Sequence, residues 1–424
     1  MPGPDVVEGG APPPRRTTRA LAVLLAVALA GYAAYAAVGA QTRDSTPPHS
    51  RHPRNPPAAS KSQAPWPSAS WPCGTKALLP IVGSDQPVGH PEGRLLIGGR
   101  AQVYVDLSTG DVAGISGMRH GDATVAIRHG PRSTYLLAKR LRHCTYTRSR
   151  IYRLSAGSTV TATEISTHGQ ADDLLAGPNG VWTVRFPRRH PFTGVRLEPL
   201  GGGPQVRLNP YPASEAGYPV AATEDGIVVA RGDGPHGAPR LLLLYGDGHL
   251  RRDYGNAWVY GATPGGTLLL GRGRCDTDRC ELSAVDDVTV GGGDQTRGPY
   301  SVPAGRRIAS DAAIGPSAVQ AAMLLSRARP DSRWRLDAGL RPSDVAVLDL
   351  DAGGWTIVPG LELPPGATPS LAFDASGTWV LVGVAAGRQV RIYGWRPGMD
   401  GVTLLAQALG APGGAPVMRV LPAR

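Results

Sequence analysis

The side chains with the most binding chemistry are arginines, and they are gathered into five segments: KRLRHCTYTRSR from Lys139, PRRHPFTG from Pro187, RGDGPHGAPR from Arg231, GRGRCDTDRC from Gly271 and SRARPDSRWRLDAGLRPSD from Ser326. A guanidinium presents a planar fork of N–H donors that fits a carboxylate or phosphate bidentately, so arginines brought to one place make an anion site. The candidate ligand-binding residues are Arg140, Arg142, Arg148, Arg188, Arg189, Arg272, Arg274, Arg329, Arg333, Trp334 and Arg335. The plainer reading is that solvated charges collect in long loops, where Asp276, Asp278, Asp331 and Asp337 offset them. Trp334 is either a ligand anchor or a side chain that pins its own loop to the domain.

Catalytic signatures are missing. The chain has no HExxH, GxSxG, phosphate-binding loop or EF-hand pattern, and its 10 histidines include no HxH pair. Asp276 and Asp278 are too few carboxylates for a calcium loop. Asp172 and Asp173 would face opposite sides of a strand and so make no acid/base pair. Cys275 and Cys280 lack the second ligand pair that a structural zinc site needs. The four cysteines are instead expected as disulfides, Cys275 with Cys280 and Cys73 with Cys144. No cofactor and no metal is expected.

The elements that carry these segments follow a repeat. A strand, a Gly or Asp turn and a second strand recur as YVDLSTGDVAGI, YRLSAGSTVTAT, VRLEPLGGGPQVRL, LLLLYGDGHLRRDY, ELSAVDDVTVGGG, VAVLDLDAGGWTIV and VRIYGWRPGMDGVTLL. The landmarks Gly110, Gly157, Gly202, Gly248, Asp287, Gly353 and Gly398 are spaced by 47, 45, 46, 39, 66 and 45 residues, and the insertion at 326–344 accounts for the long interval. A second Gly-turn-strand unit precedes each copy, as in GPNGVWTV and PGGTLLLG. Four short strands per repeat make a sheet that cannot cover both its faces alone, which predicts an all-β, radially packed β-propeller. Seven blades are expected, six to eight being compatible with the pattern. In antiparallel order all five arginine segments join a second strand to a third. The turns at the opposite end carry Asp111, Glu224, Asp225, Asp247, Asp286, Asp287, Asp351 and Asp374. One basic and one more acidic face are therefore expected.

LAFDASGTWVLVG, residues 371–383, resembles the strand-turn-strand signature of TolB-type and related WD-repeat-like propellers of bacterial envelopes, and the resemblance extends over about residues 76–422. It implies the fold and an envelope compartment, not an activity. The same stretch departs from the Asp box of sialidase propellers, because Ala372 and Ser376 stand where that motif has Ser and Gly.

Ahead of the repeats, residues 20–40 (ALAVLLAVALAGYAAYAAVGA) carry no charge and follow Arg15, Arg16 and Arg19. As a helix they span roughly 30 Å, the thickness of a bilayer core. The expected layout is a cytoplasmic tail (1–19), a transmembrane helix (20–40), a Pro-rich linker (41–72) and an extracytoplasmic propeller (73–424), the arginines remaining inside. A cleavable signal peptide ending at Val38-Gly39-Ala40 is the alternative for the apolar stretch. Net charge is +11, carried almost wholly by arginine, and nucleic acid is not the expected partner. The functional expectation is a noncatalytic, membrane-anchored propeller that binds a protein or an anionic envelope polymer through its Arg-rich face. The alternative is a propeller enzyme, a hydrolase or lyase with its site at the tunnel mouth.

Overall fold

Runs such as Leu95-Leu96-Ile97 and Leu268-Leu269-Leu270 show no polar alternation, and a strand of this kind must be covered on both faces. The computed structural model meets that demand. It describes residues 89–421 apart from 100–101, 131–132, 143–144, 166–169, 179, 187–194, 204, 209–216, 224–225, 232–239, 245–248, 264–265, 277–278, 290–295, 328–341, 362, 364–366, 387–388 and 410–416.

Every regular element among the described residues is a strand. The first sheet contains β1 (Arg94–Ile97), β2 (Val103–Asp106) and β3 (Val112–Gly114). The second is β4 (Asp122–His129), β5 (Thr134–Arg142), β6 (Thr145–Ala156) and β7 (Val160–Ile165). The third is β8 (Asp173–Gly177), β9 (Gly180–Arg185), β10 (Val195–Pro199) and β11 (Val206–Leu208). Then come β12 (Gly217–Thr223), β13 (Gly226–Arg231), β14 (Arg240–Leu244) and β15 (Leu250–Asn256), followed by β16 (Trp258–Ala262), β17 (Thr267–Asp276), β18 (Arg279–Thr289) and β19 (Thr296–Ser301). The sixth sheet is β20 (Arg306–Ile314), β21 (Gln320–Arg327), β22 (Asp344–Asp349) and β23 (Trp355–Ile357), and the seventh is β24 (Thr368–Phe373), β25 (Val380–Ala386), β26 (Gln389–Trp395) and β27 (Thr403–Leu409). A last strand, β28 (Met418–Leu421), pairs antiparallel with β1, so the sheet order is β28-β1-β2-β3. Each of these seven sheets has four strands in antiparallel order.

The first strands β28, β4, β8, β12, β16, β20 and β24 each touch the next and close on themselves, so they are the innermost strands of a β-propeller. Each apolar cluster joins two consecutive sheets. Leu95 and Ile97 pack with Trp379, Leu381 and Ile392 of the seventh sheet, whereas Leu96 between them packs with Ile127, Leu136 and Tyr152 of the second. Leu268 and Leu270 likewise face the fourth sheet and Leu269 the sixth. Period-two alternation thus sends successive leucines into two different cores.

Two contacts close the ring. β28 supplies a ladder of main-chain bonds to β1. Asp374, 1% exposed, accepts the Trp379 amide at 3.0 Å, the Glu92 amide at 3.0 Å and the Ser376 hydroxyl at 2.8 Å, which clamps the β24–β25 turn to the segment entering β1. The turns after β2 and β22 share one mechanism. Asp106 accepts the Ser108 amide at 3.2 Å and Asp349 the amides of Asp351 and Ala352 at 2.9 and 2.8 Å. Gly110 and Gly353, at φ 77° and 74°, supply the left-handed residue that a side chain would strain.

Three expectations need correction. Asp286 and Asp287 are not in a turn but in β18, Asp287 lying opposite Leu269 on one side and Arg297 on the other. A register shift between Val285 and Asp287 accommodates the acidic pair within the strand, so no turn is needed there. KRLRHCTYTRSR is a paired hairpin rather than a loop, β5 running to Arg142 and β6 from Thr145, because alternating Thr and Tyr favour strand. In the same way GRGRCDTDRC belongs to β17 and β18.

No helix among the described residues is long and apolar enough to cross a membrane. Residues 20–40 and the linker at 41–72 lie outside the described residues, as do Cys73 and Cys144.

The packing predicts that Leu269→Ala, in a fully buried position, lowers unfolding free energy by about 2–5 kcal/mol. Leu250→Ala, 54% exposed, should change it by no more than about 0.5 kcal/mol. Denaturant titration of both variants checks the contrast.

Candidate functional site

Connectivity sorts the arginine segments. Residues 143–144, 187–194, 232–239, 277–278 and 328–341 all link the second strand of a sheet to its third. Arg140 in β5 and Arg148 in β6 are exposed and directly opposite one another, and Asp122 of β4 is the other Cα partner of Arg140. Arg231 ends β13 opposite Arg240, whose Nε donates to Asp253 at 2.8 Å. Arg142, Arg272 and Arg274 occupy strand positions in β5 and β17. Arg188, Arg189, Arg329, Arg333, Trp334 and Arg335 lie outside the described residues. Cys275 and Cys280 are Cα partners across the β17–β18 hairpin.

At the opposite end the acids are less available than their count in the sequence implies. Asp374 is buried and held by its three donors, and Asp351 pairs with Arg297 at 2.5 Å. Asp111 accepts the Thr109 hydroxyl at 2.8 Å. Glu224, Asp225 and Asp247 lie outside the described residues.

Two charged groups inside the ring escaped the sequence reading. In the second sheet Asp122 is buried and takes two donors, the Arg150 guanidinium and the Tyr152 hydroxyl at 2.7 Å. Glu164 approaches Arg150 at 3.6 Å and pairs with Arg119 at 2.8 Å. Burial works against the charge on Arg150, but bonding to Asp122 more than restores it, so its pKa rises. Burial, reinforced by the Asp122 bond, pushes the Tyr152 hydroxyl up to about 12. With each charge answered by an opposite one, this cluster holds β4 to β6 and leaves little for a ligand.

The second group lies on three neighbouring innermost strands. Arg419 is in β28, Arg128 and His129 are in β4, and Asp173 opens β8. Arg128 Nη2 lies 3.9 Å from Asp173 Oδ1. His129 Nδ1 meets the Thr134 hydroxyl at 2.7 Å. Burial first, and then the charge of Arg419, lowers the His129 pKa to about 4, against a hydrogen bond to the Val420 backbone, so the ring is neutral near pH 7. The only trace of these groups in the sequence is an arginine interrupting an apolar strand, as in DATVAIRH and MRVL. That pattern marks a charge near a core but not its neighbours. Asp172, adjacent to Asp173, turns away and accepts the Phe186 amide at 2.7 Å. No group of three His, Cys, Asp or Glu that could hold a metal ion occurs among the described residues.

No family model matches the chain, and no curated protein matches it significantly. Among solved structures it is similar to TolB from Acinetobacter baumannii, at 13% identity and a TM-score of 0.38, covering 78% of this chain and 66% of that one. It is also similar to the β-propeller domain of Myceliophteria thermophila Cps50 (Swd1), at 10% identity and a TM-score of 0.42, covering 78% and 100%. A third is Kuenenia stuttgartiensis hydrazine synthase, at 15% identity and 0.39, covering 68% and 87%. These are likenesses of fold. The propeller itself stands on its own strand order and on the closed ring of its innermost strands.

Two outcomes test the interior charges. Asp122→Ala leaves Arg150 buried without its carboxylate and should destabilise the protein by about 3–5 kcal/mol, whereas Asp122→Leu combined with Arg150→Leu should recover most of that loss. The second concerns pH. The folded state holds His129 at about 4, so on acidification the unfolded chain takes up its proton first, from about pH 6.5. The contribution of His129 to stability should therefore fall between pH 6.5 and 4, by about 3 kcal/mol, and level off below. Urea midpoints across that range should flatten in His129→Gln.

Proposed function

We propose that this protein is a membrane-anchored, extracytoplasmic propeller of seven blades that binds a protein partner or an anionic envelope component through its Arg-rich segments. In this reading residues 20–40 are the anchor, 41–72 the spacer that carries the domain clear of the bilayer, and a Cys275–Cys280 disulfide staples the β17–β18 hairpin. The observation that carries it is connectivity. The five segments richest in arginine all join the second strand of a sheet to the third, and in an antiparallel sheet those connections share one end. Compositional bias toward arginine has no means of choosing alternate connections. Converging guanidiniums raise the local potential and steer an anionic partner, giving binding that weakens with salt.

Arg140 and Arg148 serve the test, since both are exposed and their backbones are fixed by strand pairing. Full-length protein in detergent should be retained on an immobilised poly(glycerol phosphate) or polyglutamate matrix and released as salt rises. Arg140→Glu combined with Arg148→Glu should weaken retention about tenfold or more. Retention indifferent to both salt and charge reversal would sink the proposal.

A further inference from the structure

The innermost strands carry a charge arrangement that the protein leaves incomplete. The Arg128 side chain makes one hydrogen bond among the described residues, from Nη1 to the carbonyl of its neighbour Ile127 at 3.1 Å. Its nearest carboxylate, Asp173, is 3.9 Å away, has a half-exposed side chain and already accepts the Leu174 amide at 2.7 Å. Arg419, on the adjacent strand β28, is paired through its backbone to β1, but its side chain has no hydrogen bond and no acidic partner among the described residues. The charge felt most directly by its guanidinium is that of Arg128, a like charge, and burial together with that repulsion lowers its pKa to about 10. A guanidinium keeps its proton under these conditions, so both groups are cations at neutral pH. His129, the other titratable neighbour, is neutral and held by Thr134.

The contrast with Arg150 defines what is missing. There a buried guanidinium meets Asp122 directly, with Glu164 at 3.6 Å. At Arg419 the same chemistry stands without its anion, and a planar fork of N–H donors in partial burial binds oxyanions bidentately. We propose that Arg419 and Arg128 form an oxyanion site on the innermost strands β28 and β4, taking one phosphate or carboxylate group between them. The site uses none of the residues on which the proposed partner-binding face depends.

The experiment uses full-length protein in detergent, in chloride buffer of constant ionic strength, titrated separately with inorganic phosphate and with acetate while the Tm is followed. At least one of the two should raise the Tm saturably, half the effect falling in the low millimolar range or below, as expected for a ligand that binds only the folded state. Which anion acts distinguishes a phosphate-bearing ligand from a carboxylate-bearing one. Arg419→Met should weaken the response at least tenfold, Arg128→Met should weaken it as well, and Arg140→Glu with Arg148→Glu should leave it unchanged. Without oxyanion, Arg419→Met should melt above the wild type, because an unanswered charge has been removed, and this also shows that the variant folds. The proposal is overturned if neither anion acts saturably, if Arg419→Met responds as the wild type does, or if Arg419→Met melts lower in oxyanion-free buffer.

Discussion

Burial of both faces of every sheet is the constraint on which the rest of the structure depends. A four-stranded sheet whose central strands read Leu-Leu-Leu exposes apolar surface on two sides, and each fully buried leucine is worth about 1.5–3 kcal/mol. A stack of such sheets would leave its two outermost faces bare. Closing the stack into a ring removes them, and the Leu95 and Ile97 side chains packed on Trp379 and Ile392 are that closure at its seam. The β28 ladder and the Asp374 clamp then fix the seam by hydrogen bonds, which are directional where apolar packing is not.

The ring also decides how charge is tolerated. An ionic group that the packed sheets withdraw from water needs a partner of opposite sign. Asp122, Arg150, Tyr152 and Glu164 meet that requirement within one sheet, and the raised pKa values of Arg150 and Tyr152 follow from it. Arg128 and Arg419 sit on neighbouring sheets, and of the two only Arg128 has a carboxylate within range among the described residues, Asp173 at 3.9 Å. Whereas the first cluster reads as structural cement, the second has capacity left over. A rigid all-strand frame suits such a role, since it holds recognition groups in place before a ligand arrives.

The connections at the two ends divide along similar lines. Turns that join the first strand to the second or the third to the fourth are short, and described acids in and beside them are already engaged: Asp374 and Asp349 hold backbone amides, Asp111 the Thr109 hydroxyl and Asp351 the Arg297 guanidinium. Connections between second and third strands are longer and richer in arginine, or are extended hairpins such as β5–β6 and β17–β18. The charge asymmetry expected from loop composition is thereby altered in kind. The basic segments keep their connectivity, and the opposite end is less acidic than its aspartates imply.

Sequence by itself determined the class of fold and the placing of most turns, because both are local. Gly110 and Gly353 mark turns through their backbone freedom, and the apolar runs announce strands buried on both faces. It also set the order of strands, and hence which connections share an end. It misplaced Asp286 and Asp287 as a turn, since a bulge within a long strand depends on the partners at β17 and β19 rather than on local propensity. Only the tertiary structure decided which charges meet. Asp122 and Arg150 lie on different strands of one sheet, and Arg128 and Arg419 are nearly three hundred residues apart in the sequence and neighbours only because the ring closes. Ionic pairing acts over a few ångströms in space, so no spacing along the chain encodes it.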